Sequence, residues 1–264
     1  MVELRDVSYR AGSTLILQDV SVRFRAGRFN VILGPNGAGK STLLRLATGL
    51  AKPTHGQVLY DDRPLDAFDA SELARMRAVL SQHVDLAFPL PTIDVAMMGR
   101  YPHYNRVPTS HDRDIVRRAL EMVGMREKAQ QPYPTLSGGE QQKVQLARVL
   151  AQIWNYDEPP PGASRPHRFL FLDEPTSSLD VHYQIHLLDV AKSLLDFDCT
   201  VVAILHDLNV ALEYGGHFVL LERGRIALEA ESPDAIGQAD LERIFQVRAR
   251  RLDDNGRAFW RFGL

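Results

Sequence analysis

An apolar run, Phe29 to Leu33, ends directly in the octapeptide Gly34-Pro35-Asn36-Gly37-Ala38-Gly39-Lys40-Ser41. The order of residue types matches G-x-x-x-x-G-K-[ST], a loop whose backbone N–H groups wrap phosphate oxygens. Few local patterns constrain a fold as tightly. The run reads as a strand buried on both faces, the glycines turn the chain, and a helix opening at Gly39 or Lys40 sets its positive end beneath the phosphates. Lys40 is placed to reach the β- and γ-phosphates, and the Ser41 hydroxyl to ligate Mg²⁺. The predicted nucleotide-binding stretch runs from Gly34 through Thr42.

Composition narrows the remaining possibilities. With 264 residues the chain forms one large domain, or one domain with a subdomain, and can bury a sizeable core. A formal net charge of -2 gives no nucleic-acid footprint, and the basic stretch from Arg248 to Arg251 reads as a solvated face. The single cysteine, Cys199, precedes an apolar run and is predicted to be a buried thiol; one cysteine cannot form a disulfide within the chain. No stretch approaches the roughly 18 apolar residues of a membrane span, and Met-Val-Glu-Leu-Arg is not a signal peptide. The expectation is a soluble, cytosolic protein.

Three other apolar runs end as informatively as the first. Ala78 to Leu80 leads to Gln82, Phe169 to Leu172 ends in Asp173-Glu174, and Val201 to Leu205 ends in His206. Each brings a polar group to the carboxyl end of a buried strand, where open α/β sheets bind ligands. The N-terminal part has a different period. Val20, Val22 and Phe24 alternate with Ser21, Arg23 and Arg25, Val2 and Leu4 begin a similar pattern, and Gln57 to Tyr60 is another short strand before the Asp61-Asp62 turn. These predict a small antiparallel sheet flanking the parallel core.

Residues 86–155 lack strand signals and predict a helical subdomain entered through Phe88-Pro89-Leu90-Pro91. The expected division is a core of 1–85 and 168–264, the helical subdomain 86–155, and a connection 156–167. That connection lies within Asn155 to His167, where Pro159-Pro160-Pro161-Gly162 and Pro166 exclude helix and central strand. It reads as an exposed connection or, alternatively, as a contact surface for a partner.

A carboxylate ending a buried strand needs a partner, and Mg²⁺ is the natural one for Asp173. Glu174, one residue on, is the candidate general base for an attacking water, a role that contributes about 10²–10⁴-fold. A second glycine-rich loop, Leu136-Ser137-Gly138-Gly139-Glu140, carries the Ser-x-x-Glu capping box ahead of a helix with Val144, Ala147, Leu150 or Ala151, and Trp154 on its apolar stripe. A cap explains Ser137 and Glu140. Two consecutive glycines, which weaken a helix, make sense where another group approaches the backbone, so the loop is also a candidate anion site. His182 and His186 stand i, i+4 on a predicted helix; a solvated face and a metal pair are both compatible with that spacing.

Taken together, the phosphate loop, Gln82, Leu136 to Glu140, Phe169 to Glu174, Ser178-Leu179-Asp180 and His206 resemble the ATP-binding cassette (ABC) superfamily over residues 1 to about 225. The resemblance implies a RecA-like P-loop NTPase core with a parallel sheet, a flanking antiparallel β subdomain and an inserted helical subdomain. It also implies a head-to-tail homodimer in which the phosphate loop of one protomer and the signature loop of the other sandwich each ATP. Tyr9 resembles the aromatic that stacks on adenine. Gln82 resembles the residue linking Mg²⁺ and the catalytic water to the membrane partner, so the implied Mg²⁺ set is Ser41, Gln82 and Asp173. Within the signature loop Ser137, Gly138, Gly139 and Glu140, Ser137 and Gly139 would touch the γ-phosphate across the interface. His206 would contact it within the same protomer, and Ser178, Leu179 and Asp180 would lie in the loop connecting the two sites.

Further segments point to a branch. Met98-Gly99-Arg100-Tyr101-Pro102-His103 and His206-Asp207-Leu208-Asn209 are similar to segments in importers of iron-siderophore complexes, haem and cobalamin. The proline-rich stretch is similar to extra residues of haemin-importer ATPases. Haem is the favoured cargo, with iron-siderophore complexes and cobalamin as alternatives. The implied partners are an integral membrane permease dimer and a periplasmic binding protein acting through it, which places the chain on the cytoplasmic face of a bacterial inner membrane. Two other classes stand beside this reading: a soluble ABC ATPase outside transport, and a nucleotide-gated binding module without hydrolysis. Paired cassettes or long coiled-coil insertions would mark the first and are missing here; an intact Glu174 opposes the second.

Overall fold

The computed structural model describes residues 1–81, 89–154, 167–176, 180–254 and 257–263. Gln82, Ser178, Leu179 and all of the proline-rich connection except His167 lie outside the described residues. The chain divides into two compact units, one of residues 1–67 with 202–264 and the other of residues 68–201.

Unit one begins with β1 (Val2–Ala11) and β2 (Thr14–Phe24), followed by β3 (Phe29–Leu33), α1 (Lys40–Ala47), β4 (His55–Tyr60) and the short β5 (Arg63–Pro64). The chain then enters unit two with α2 (Ala70–Met76), β6 (Arg77–Leu80), α3 (Thr92–Met97), α4 (Ser110–Met122), α5 (Gly138–Ile153), β7 (Arg168–Asp173) and α6 (Val181–Ser193). The division between the units falls within β8 (Cys199–Ile204), after which come α7 (Leu208–Tyr214), β9 (His217–Glu222), β10 (Arg225–Ala230), α8 (Gln238–Phe245), β11 (Arg248–Asp254) and β12 (Arg257–Gly263).

The alternating N-terminal pattern becomes an antiparallel sheet of order β2-β1-β4-β5. Val20, Val22 and Phe24 turn into the core while Ser21 and Arg23 face solvent, as a strand buried on one face requires. Tyr60 closes this layer onto α1 by donating its hydroxyl to the Ala47 carbonyl at 2.8 Å. The continuous apolar run behaves differently. All five residues of β3 are buried, and it pairs in parallel with β9, Asn30 opposite His217 and Leu33 opposite Leu220. A polar residue survives inside this strand because its amide is fully used. Asn30 Oδ1 accepts from the Arg25 N–H at 2.6 Å, its Nδ2 donates to the Arg25 and Arg28 carbonyls, and its Oδ1 lies 2.9 Å from His217 Nδ1. β10 adds antiparallel to β9, and β11 with β12 forms a hairpin.

Unit two holds the parallel pair β6–β7, Arg77 opposite Phe169 and Leu80 opposite Leu172. Its described stretch 89–154 holds helices joined by turns and loops, with an isolated bridge between Pro91 and Pro132 and no strand among the described residues. Thr109 caps α4 through a reciprocal box with Asp112, and Ile115, Val116, Ala119 and Leu120 form the buried face. α5 is buried on more than the expected stripe: Leu146, Val149 and Ile153 are as enclosed as Val144, Ala147 and Leu150. Cys199 is buried, and that burial pushes its thiol up to about 12, leaving it protonated and inert. Among the described residues no helix is long and apolar enough to cross a membrane.

Candidate nucleotide-binding site

The loop leaving β3 is shaped by its glycines. Gly34 sits at φ 146°, where a Cβ would stand 2.3 Å from the Leu221 carbonyl oxygen of β9, so only glycine lets the loop pass that close. Gly39, at φ 101°, stands at the N-cap of α1, where no side chain caps the helix. The positive end of α1 is therefore presented to the loop by backbone alone. The Lys40 ammonium is buried and donates to the carbonyls of Gly34 and Pro35 at 2.9 and 3.1 Å, which fixes it in the mouth of the loop. The turn between β9 and β10 braces the outside, its Gly224 N–H donating to the Ala38 carbonyl at 3.1 Å. A helix end without a side-chain cap, an ammonium held against the loop and an open space around Gly37 suit a polyphosphate.

Two more of the expected residues belong to this unit. Tyr9 is half-buried in β1, opposite Leu17 of β2. His206 is exposed just beyond β8, and Asp207 behind it caps α7 by accepting from the Asn209 and Val210 N–H groups at 2.8 and 3.1 Å. Asn209 has its own use. Its amide donates to the Trp260 carbonyl at 3.0 Å and accepts from the Trp260 N–H at 2.7 Å, which fastens β12 to the segment carrying His206.

In unit two, β7 ends on half-buried Asp173 and is followed by Glu174 at φ 50°. The left-handed region is rare for a residue with a Cβ and costs about 1–3 kcal/mol, so the surroundings must hold Glu174 there. The signature segment forms the predicted cap: Glu140 accepts from the Ser137 N–H at 2.9 Å and the Ser137 hydroxyl at 3.0 Å, and Ser137 Oγ accepts in return from the Glu140 N–H at 3.4 Å. Lys128 also donates to Glu140. That bond first, and then those from Ser137, hold the Glu140 carboxyl down to about 2. A Cβ at Gly138 would meet nothing within 4 Å, so the front of α5 stays open. Asp180 caps α6, accepting from the Tyr183 N–H at 3.0 Å.

The segment Gly99 to His103 finishes the other end of α5. Arg100 donates to the carbonyls of Ala151 and Trp154 at 2.9 and 3.1 Å, and His103 Nε2 lies 2.7 Å from the Gln152 carbonyl. Those are terminal carbonyls that a helix leaves unsatisfied. Gly99 permits the approach, since a Cβ there would lie 2.0 Å from the Arg148 carbonyl oxygen. Arg100 also donates to Asp112 at 2.9 Å, both side chains being buried. Burial alone would raise the Asp112 carboxyl; the hydroxyl and N–H of Thr109 together with Arg100 outweigh it and hold the group below its usual range. Burial, and then the Arg100 charge, push His103 down to about 4. It is therefore neutral at pH 7, with its Nε2 proton on the carbonyl. Elsewhere on α6, His186 bonds the Met122 carbonyl at 2.9 Å, and His182 packs edge-on against Tyr183. The Lys143 ammonium rests 3.3 Å from the Tyr183 ring centre.

Tyr9, Gly34–Thr42 and His206 thus lie in unit one, and Ser137–Glu140, Asp173, Glu174 and Asp180 in unit two. A buried strand feeding a phosphate loop, with a capped second glycine loop at the front of a long helix, defines a mixed α/β nucleotide-binding cassette. A sequence pattern of the family described as "ABC transporter" matches residues 17–160. The hemin import ATP-binding protein HmuV of Agrobacterium fabrum is 40% identical over 247 residues, 94% of this chain and 92% of that protein. A metal-chelate type ABC transporter solved in an inward-facing conformation superposes with a TM-score of 0.79 at 24% identity, over 99% of this chain and 95% of that one. The dimeric structure of a bacterial ABC transporter cassette superposes at 0.72 with 29% identity, over 88% of this chain and 98% of that one. The chain belongs to the ABC transporter family, and ATP is its nucleotide.

Proposed function

We propose that this chain is the ATP-hydrolysing subunit of a haem importer, working as a homodimer on a membrane permease that a periplasmic binding protein supplies. The observation that carries the reading is the 40% identity to a hemin import ATP-binding protein across nearly the full length of both chains. The glycine loop, with Lys40 bonded to the Gly34 and Pro35 carbonyls, supports the same reading. Lys40 and the N-terminal N–H groups of α1 hold the β- and γ-phosphates, and Tyr9 receives the adenine. Ser41, Asp173 and Gln82 would hold Mg²⁺ through hard oxygen donors, and the bound ion would neutralise charge developing on the phosphates. Glu174 takes a proton from the attacking water as its oxygen bonds to the γ-phosphorus and ADP leaves; His206 steadies the γ-phosphate. Ser137 and Gly139 grip the ATP held by the partner subunit, with Ser178, Leu179 and Asp180 lining the dimer contact. The helical stretch 86–155 serves as the signature-bearing subdomain of a single cassette, and the assembly sits at the cytoplasmic face of the inner membrane.

The test is ATP hydrolysis by the chain assembled with its permease in liposomes, with binding protein added empty or loaded. Stimulation by haem-loaded binding protein alone is the expected result. Stimulation by a siderophore- or cobalamin-loaded protein instead would overturn the cargo and keep the importer. No coupling to any permease would overturn both.

A further inference from the structure

Glu174 is held in an unfavourable backbone conformation, and two glutamines outside the expected site bond the carbonyls that follow it. The β6–β7 ladder reaches only to Leu172, and Pro175 has no N–H to offer. The chain beyond Glu174 is fixed instead through its carbonyls. Gln142 of α5 donates its side-chain amide to the Pro175 carbonyl, and Gln184 of α6 donates to the Thr176 carbonyl at 3.0 Å. Both helices are anchored independently, α6 by its Asp180 cap and α5 at both ends, by the Ser137–Glu140 box and by Arg100 and His103. Two amides from two helices on consecutive carbonyls form the kind of over-determined setting in which a left-handed glutamate persists.

We propose that Gln142 and Gln184 are positioning residues for the general base: they hold the Pro175–Thr176 backbone so that the Glu174 carboxylate stays aimed at the attacking water. The inference rests on the reading of Glu174 as that base. It has a second consequence. Gln142 lies five residues beyond Ser137 on one rigid helix, about 7.5 Å along its axis. A shift of the signature loop against the partner subunit's nucleotide is transmitted to the Pro175 carbonyl and so to this subunit's own base. Each active site is thereby set by the other through α5.

The experiment compares Gln142→Glu and Gln184→Glu, which keep the shape but lose the donor, with Gln142→Lys, which keeps a donor. Steady-state ATP hydrolysis is measured in the assembled importer, each substitution being made alone and with Glu174→Gln. The expected result is kcat about 10-fold lower for either glutamate variant at unchanged KM for ATP, partial recovery in Gln142→Lys, and no further loss when combined with Glu174→Gln, because groups acting through one another are not additive. Unchanged kcat in both glutamate variants, beside an inactive Glu174→Gln, overturns the clamp and leaves the base in place. So does a multiplicative loss in the double variants. Near-normal turnover in Glu174→Gln removes the base assignment and the clamp with it. If Gln142→Glu fails to fold, Gln184→Glu reads the same clamp from the other helix.

Discussion

The front of α1 and the front of α5 are both glycine-bearing helix ends suited to phosphate, and they are built by opposite means. α1 has no side-chain cap: Gly39 stands at its N-cap in the left-handed region, and the loop before it is turned by Gly34, with Lys40 pinned to the loop's own carbonyls. α5 carries a side-chain capping box, with Ser137 and Glu140 satisfying each other and Lys128 bound to the same carboxylate. The first end has no side chain bonded at its N-cap. The second has its shape before any ligand arrives, and its glycines leave room rather than bend the chain. One end is therefore suited to capture nucleotide alone, and the other to close on a nucleotide that something else has delivered.

That contrast can be broken most forcefully at Ser137. Ser137→Arg fills the open front of α5 and should cut hydrolysis by about 10²-fold or more, while nucleotide binding to the isolated chain stays intact, since α1 provides it. Equilibrium binding of a fluorescent ATP analogue beside turnover measures both; loss of binding as well would place the two ends on one nucleotide of a single chain.

The two glycines give a finer comparison. Gly34→Ala sets a Cβ against the Leu221 carbonyl at a strained φ and should cost about 3 kcal/mol in chemical denaturation. Gly138→Ala meets nothing and should change stability by less than about 1 kcal/mol. Equal costs would mean that the two loops are constrained alike.

The smallest effect concerns pH. Glu140 has its folded value lowered to about 2 from 4.5, so its contribution is complete above about pH 4.5 and is lost as pH falls toward 2. Glu140→Gln should flatten the melting temperature over that window, lowering it most at pH 7 and least near pH 2. At pH 7 the carboxylate's bonds to Lys128 and Ser137 are fully formed, and the loss should be about 1 kcal/mol or somewhat more. A profile as steep as that of the unaltered chain would show that the acid sensitivity arises elsewhere.

Legibility followed the physics of each element. Phe29 to Leu33 and Phe169 to Leu172 declared themselves because a strand buried on both faces is apolar throughout. Val20, Val22 and Phe24 did so by alternation. The C-terminal hairpin gave no such sign: β11 reads Arg248-Ala249-Arg250-Arg251, with exposed arginines around one buried alanine, and its anchor is an asparagine side chain gripping the Trp260 backbone 51 positions away. In the site, residues that a motif names could be located directly. Gln142 and Gln184 could not, because a clamp exists only once α5, α6 and the end of β7 are brought together. The Gly99 to His103 segment was recognisable as a marker of a branch, but its work as the terminal cap of α5 depends on carbonyls some fifty residues away.

The pairing of β3 with β9 bears on how the chain is made. Asn30 meets a partner 187 positions later in the sequence. At about 5–20 residues per second, a ribosome takes roughly ten to forty seconds to supply it. All of residues 68–201 emerge during that wait. The discontinuous unit is therefore the last to be completed, although its first strands are the first to be synthesised. Throughout the interval Val31, Ile32 and Leu33 lack the β9 edge they pair with, so it is the nascent chain, more than the finished protein, that leaves this apolar strand open to wrong pairing.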